Sequence, residues 1–285
     1  MRKSLASAGS RRASLDPSAI FSWMHLQVIS SGSEGNSTLI RAGETNLIVD
    51  SGLTLAEMEI RLQAVGLPAA EIAHVVVTHG HLDHARSAGA LARKARAMLH
   101  CPENIMNHPS ARRAKRLSRI SVGARFEVRA ERADNAVELL TVALPHDCDP
   151  TVAFRIEHEG RTAAILTDIG RPSDEVARSL HGAHVLVLEF NYDPEMMRAG
   201  PYSPELQKRI TGSRGHLSNQ QAAEMLEALA SPNLHTLVLA HLSQKNNTPE
   251  LALAAAHGAL ERVGMRSKVR VLIGSQREPL ESLPV

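Results

Sequence analysis

Cysteine is nearly absent from this chain of 285 residues: Cys101 and Cys148 are too few for a disulfide framework. A reducing compartment is the expected setting. Aromatics are equally scarce, with one Trp, two Tyr and four Phe, which argues against a base-stacking platform that grips single strands. No apolar run approaches the roughly 18 residues needed to span a bilayer. Net charge is small too, since 32 Lys and Arg face 30 Asp and Glu. Even that surplus is local, because residues 1–23 hold Arg2, Lys3, Arg11 and Arg12 against Asp16. The body is not globally basic, and a cytoplasmic protein with no membrane partner is expected.

Residues 1–23 are rich in Ser, Ala and Arg and lack the apolar stretch of a secretory signal. A disordered extension is expected there, with Met24 as the physiological start; a transit peptide is the alternative reading. Residues 24–285 are expected to form one domain. Its opening reads as an antiparallel meander, with strands at His25–Ser30, Thr38–Arg41 and Asn46–Asp50. Helical spacing of Leu55, Met58, Leu62 and Val65 follows, then a short strand at His74–Val77. Further strands are predicted at Val137–Leu144, Thr151–His158, Thr162–Thr167 and Val185–Phe190, and helices at Asn219–Leu229 and Pro249–Val263. The predicted class is α/β or α+β, with one or two sheets.

What the chain does have is histidine in one dense run. His79-Gly80-His81-Leu82-Asp83-His84 places four side chains able to ligate metal in six residues, where a strand ends and the chain turns. Imidazole and carboxylate together suit zinc, iron or manganese. Three distant residues occupy the same kind of position: His146 follows VELLTVALP, Asp168 closes TAAILT, and His241 closes HTLVLA. Their shared place at strand ends implies that the ends meet, giving five His and two Asp, enough for two metal ions.

The order HxHxDH, then His, Asp and His, resembles the metallo-β-lactamase fold, an αββα sandwich with its site at one edge of two sheets. The resemblance assigns His79, His81 and His146 to a first ion and Asp83, His84 and His241 to a second, with Asp168 bridging both. SGSEGNST, LEFNYDPEMM, GPYSPELQKRI, RGHLSNQQA and HLSQKNNTPE are similar to the WalJ/YycJ-like branch, which implies a cytoplasmic 5′ to 3′ exodeoxyribonuclease. Exported class B β-lactamases fit less well because they lack the bridging aspartate. Nucleases with an inserted cap fit less well because the 72 residues between Asp168 and His241 are already filled by predicted strands and helices.

The expected nucleophile is a hydroxide shared by two divalent cations, which lower the pKa of water toward about 7. Asp83 doubles as a candidate base or orienter of that water. His216 is a candidate for leaving-group protonation or phosphate contact, with a plain histidine at a helix N-terminus as the alternative. Glu189, Asn191 and Asp193 end another strand, and Asn246 and Asn247 closely follow His241, so these are candidates to line the cleft or orient ligands; for the last two a turn competes.

Basic charge gathers in residues 86–132, where twelve Lys and Arg face three Glu. Were Ser110–Arg119 helical, Arg112, Arg116 and Arg119 would share a face beside Arg113, a track for DNA phosphates, or simply a solvated surface. Backbone recognition of DNA is therefore expected, with little sequence reading. The competing functions are a small-molecule metallohydrolase acting on a thioester, lactone or cyclic phosphodiester, and a non-catalytic metal-binding protein.

Overall fold

The first strand, β1 (Met24–Ser30), alternates Met24, Leu26 and Val28 toward one side until a register shift between Val28 and Ser30. A strand sends successive side chains to opposite faces, so Ile29 packs on the other side. The computed structural model describes residues 24–285; the expected extension at 1–23 lies outside the described residues.

β1 pairs antiparallel with β2 (Ser37–Ala42), and β2 with β3 (Thr45–Val49), the meander expected from the sequence. Helix α1 (Leu55–Ala64), capped by Thr54 and Glu57, crosses to β4 (His74–Val76). Two short helices, α2 (Leu82–Ala85) and α3 (Ala88–Ala95), lead to β5 (Met98–Pro102), then α4 (Glu103–Met106) and β6 (Leu117–Ile120). Ser110–Arg119, where a helix would have lined up a phosphate track, is a run of turns followed by β6, so Arg112, Arg116 and Arg119 share no helix face. A buried Ala111 and the pairing of β6 with β5 hold it in that form.

The second half follows with β7 (Arg125–Val128), β8 (Val137–Leu144), β9 (Thr151–His158), β10 (Arg161–Leu166), α5 (Asp174–Leu180) and β11 (Val185–Glu189). Next come α6 (Pro194–Ala199), α7 (Pro204–Thr211), α8 (Asn219–Leu229), β12 (Thr236–Ala240), α9 (Pro249–Arg262), β13 (Arg270–Ile273) and β14 (Leu283–Pro284). One sheet runs β14-β1-β2-β3-β4-β5-β6 and the other β13-β12-β11-β10-β9-β8-β7.

Side-chain identity sorts the layers. Val185, Val187, Val238 and Phe154 meet Leu26, Ile40 and Val76 between the sheets. Leu186, Leu188, Leu237 and Leu239 face outward onto α5, α8 and α9, while Ile48, Val75 and Val77 face α1 and α3. The result is an αββα sandwich, with β3 to β6 parallel in one sheet and β10 to β13 parallel in the other. Helical crossovers place the carboxyl ends of parallel strands together, and that edge is where ligands bind in such sheets.

The loops at this edge are tied by main chain. Asn36 N–H donates to the Asp83 carbonyl and Ser51 N–H to that of His84, both at 2.7 Å. Gly52 is wedged here, where a Cβ would overlap the Asp83 carbonyl. Gly52→Ala must therefore push the His79–His84 loop aside. Overpacking against backbone costs about 1–3 kcal/mol, so the variant is expected to melt several degrees lower in a thermal scan. A wild-type Tm would show that the two loops part freely.

Candidate metal centre

Each side chain of the site leaves the end of a strand or its first turn. Asp50 follows β3, His79 lies three residues past β4, His146 two past β8 and Asp168 two past β10; Glu189 closes β11 and His241 follows β12. Asp50, Asp168 and His241 sit in left-handed backbone at φ 60°, 61° and 56°. Non-glycine residues are uncommon there, and such outliers gather at functional sites.

The seven residues predicted as metal ligands converge. His79, His81 and His146 form one group with donor atoms within 4.8 Å of each other; Asp83, His84 and His241 form a second, and His79, His84 and Asp168 a third that links them. His146 Nε2 lies 3.3 Å from His81 Nδ1, His241 Nε2 is 3.3 Å from Asp83 Oδ2, and His84 Nε2 is 3.0 Å from Asp168 Oδ2. Buried His79 Nε2 has no hydrogen-bond partner, and neither has Asp168 Oδ2 apart from its ion-pair approach to His84. An unsatisfied buried polar atom costs about 1–3 kcal/mol. Nitrogen and carboxylate donors left bare around one point are what a divalent cation satisfies, so the cluster can bind metal.

Outer contacts fix which nitrogen faces inward. His146 Nδ1 is 3.0 Å from the Gly215 carbonyl, which only accepts, so Nδ1 carries the proton and Nε2 presents its lone pair. The Asp50 carboxylate accepts from Nδ1 of His84 at 2.7 Å, and Glu189 from Nδ1 of His241 at 3.0 Å, so each of these rings turns its Nε2 inward. Asp50 is itself held by the Thr78 N–H and hydroxyl. His81 turns its Nε2 to Asp147 at 3.3 Å, and Arg209 grips that carboxylate at 2.6 Å.

Glu189 is fully buried and serves two imidazoles with one oxygen. His216 Nδ1 lies 2.7 Å and His241 Nδ1 3.0 Å from its Oε1, while Ile169 and Leu217 donate backbone N–H groups to Oε2. His216 thus joins the cleft, 3.6 Å from Asp168 Oδ1, with its Nε2 left for a ligand. Burial opposes charge on His216, yet Glu189 and Asp168 lift its pKa above the ordinary value. His241, likewise opposed by burial, is pushed up to about 10 by Asp168, Asp83 and Glu189. His84 rises for the same reason, under Asp168, Asp50 and Asp83. Burial and the neighbouring His84 instead drive His79 well down, leaving it neutral. Burial resists ionisation of Asp83, but His84 and His241 hold it below the ordinary carboxylate range.

Several sequence expectations land elsewhere. Asn191 lines the cleft and donates to the His241 carbonyl at 2.8 Å. Asn246 does not line it: its side chain is fully buried against Gly200, because the turn after His241 folds inward. Asn247 ties Phe190, Asn191 and Asn219 together in the interior, and Asp193 caps α6. Arg112 and Arg113 sit on exposed turns, while Arg116 precedes β6 and lines a cavity with His74 and Met98, at the opposite end of the strands from the cleft. Of the residues not anticipated, Asp50 ends NLIVD and could have been found by the strand-end logic that found Asp168. Asn36, whose amide lies 3.0 Å from His84 Nε2, stands inside SGSEGNST, and Asp147 is adjacent to His146.

A beta-lactamase superfamily domain profile matches residues 45–242. The chain is 30% identical to an Exodeoxyribonuclease YycJ of Bacillus anthracis over 85% of its own length and 90% of the relative's. It is 29% identical to an Exodeoxyribonuclease WalJ of Streptococcus pneumoniae, over 79% and 84% of the two chains. The metallo-beta-lactamase fold protein YhfI of Bacillus subtilis superposes with a TM-score of 0.66 at 16% identity, covering 90% of this chain and 99% of that one, and so shares the fold.

The carboxylates that keep His84 and His241 charged make metal entry a proton exchange. Adding zinc to chelator-stripped protein in weak buffer at pH 7 is expected to release about two protons, one from each imidazole, read with a pH indicator. Uptake without release would mean that both rings start neutral. The sign for stability follows: the raised pKa of His241 stabilises stripped protein fully below the ordinary histidine value, and that contribution is lost as pH rises through about 10.

Proposed function

Since this chain belongs to the metallo-β-lactamase superfamily and to its WalJ/YycJ-like branch, and is accordingly a hydrolase, we propose that it cleaves phosphodiester bonds with two metal ions, removing nucleotides from DNA in the 5′ to 3′ direction. The carrying observation is the convergence of seven side chains able to ligate metal, beside His216 and the buried Glu189 that holds it, at a cleft of about 460 Å³. In this reading His79, His81 and His146 would hold one ion and Asp83, His84 and His241 the other, with Asp168 as the ligand they would share. Zinc, manganese or iron bound there would supply a water acidified toward neutral pH and offset charge on the phosphate.

The chain's own groups supply the rest. Asp83, kept ionised, accepts from or orients the attacking water. Glu189 fixes the His216 ring through Nδ1 and keeps it protonated, so that Nε2 can hand a proton to the departing sugar oxygen. Tyr202, Leu206 and Ile210, around α7, give the cleft an apolar wall suited to a sugar and base. Two relatives named as exodeoxyribonucleases, each covered over most of its length, favour DNA over a small ester.

Elemental analysis joined to digestion of 5′- and 3′-labelled duplexes tests the proposal. Faster turnover of thioesters or lactones than of DNA would overturn it. His216→Ala is expected to lower kcat on DNA by about 10²–10⁴-fold with KM little moved. The loss should be far smaller on bis(p-nitrophenyl) phosphate, whose leaving group needs no proton. Equal losses on both substrates would remove His216 from the role of acid.

A further inference from the structure

We propose that a second groove, beside the metal loop, carries the backbone of the DNA strand that continues out of the cleft; this rests on the nuclease reading. The groove, about 530 Å³, lies between the start of α1, the α2–α3 corner and the turns at residues 108–113. It meets the cleft at Leu82, which lines both cavities and is 58% exposed although flanked by His81 and Asp83. A strand passing from one cavity to the other crosses this apolar side chain, the kind of contact that unstacks a base step.

The charge of the groove fits that occupant. Arg86, His108 and Arg113 line it, and no carboxylate is among its lining residues. Glu57 feels Arg86 but spends its carboxylate on capping α1 through Thr54. Neither guanidinium pairs with a carboxylate among the described residues, so both are free for phosphate. Their spacing is built in. Gly89 N–H donates to the Ser110 carbonyl at 2.8 Å, and a Cβ on Gly89 would overlap that oxygen, so the turn bearing Arg113 is seated directly on α3. A further arginine-lined cavity, with Arg96, Arg116, Arg129 and Arg132, is offset by Glu44, Glu71 and Glu131 and opens at the far end of the strands.

The test is binding of a fluorescent duplex to metal-loaded protein, its ends protected by phosphorothioate linkages so that affinity is read without turnover. In Arg86→Ser/Arg113→Ser, affinity at low salt is expected to fall about tenfold, and the slope of log K against log salt to shrink by about 1.4–1.8, the value for two lost phosphate contacts. Arg86→Lys/Arg113→Lys should restore both, because phosphate needs only the charge. Arg178→Ser/Arg266→Ser, an equal charge change elsewhere, should leave both alone. Unchanged affinity and slope in the first pair, failure of the lysine pair to rescue, or a matching loss in the control pair would each overturn the groove. Arginine-dependent binding of a duplex whose unprotected form is never cut would instead refute the nuclease reading and leave the groove standing.

Discussion

Burying a carboxylate is affordable to a fold only if cations or N–H groups surround it. Asp50, Asp168 and Glu189 are each almost wholly out of solvent, and each faces imidazoles. The rest of the architecture serves that requirement. Parallel strands bring their carboxyl ends to one edge, and the first turns beyond them aim acidic and imidazole groups inward. Main-chain ties from Asn36 and Ser51 stop the His79–His84 loop from lifting away. Removing one partner would leave its neighbour charged and dry, so the cluster stands or falls together.

The same mutual dependence orders the chemistry. His79 is neutral and bare, ready to donate electrons, while His84 and His241 carry charge that neighbouring carboxylates sustain. Glu189 holds His216 and His241 through one oxygen, so two imidazoles of the cleft have a common anchor. Residues around α7 wall one side of that cleft, and Leu82 joins it to the neighbouring groove.

Much of this was readable from the chain. Strands with buried alternation, such as Val137–Leu144 and Thr151–His158, appear as predicted because hydrophobic period and burial agree. The HGHLDH run stood out since few folds tolerate so many imidazoles unless something holds them. What escaped were elements whose pattern is set by neighbours. β6 and β7 are four-residue edge strands carrying exposed arginines, and they exist because β5 and β8 offer unpaired backbone. The arginine spacing in Ser110–Arg119 would suit a helix face, but Gly89 and Ala111 pin that stretch against α3 as turns. Asn246 looked like a cleft residue by proximity in sequence; only the inward fold of its turn reveals otherwise. Asp50 was hidden for a different reason, as a lone aspartate after a strand is common.

The left-handed backbone at Asp50, Asp168 and His241 bears on how this protein can change. Glycine would relax the backbone at each position by roughly 1 kcal/mol, yet it would also strip a buried charge of its partner, a loss of about 3–5 kcal/mol. Enrichment for heat resistance alone should therefore keep the imidazole and both carboxylates at these three codons. A breeding scheme for a tougher variant has nothing to gain at these bonds, because the strain is the smaller part of what each side chain does there.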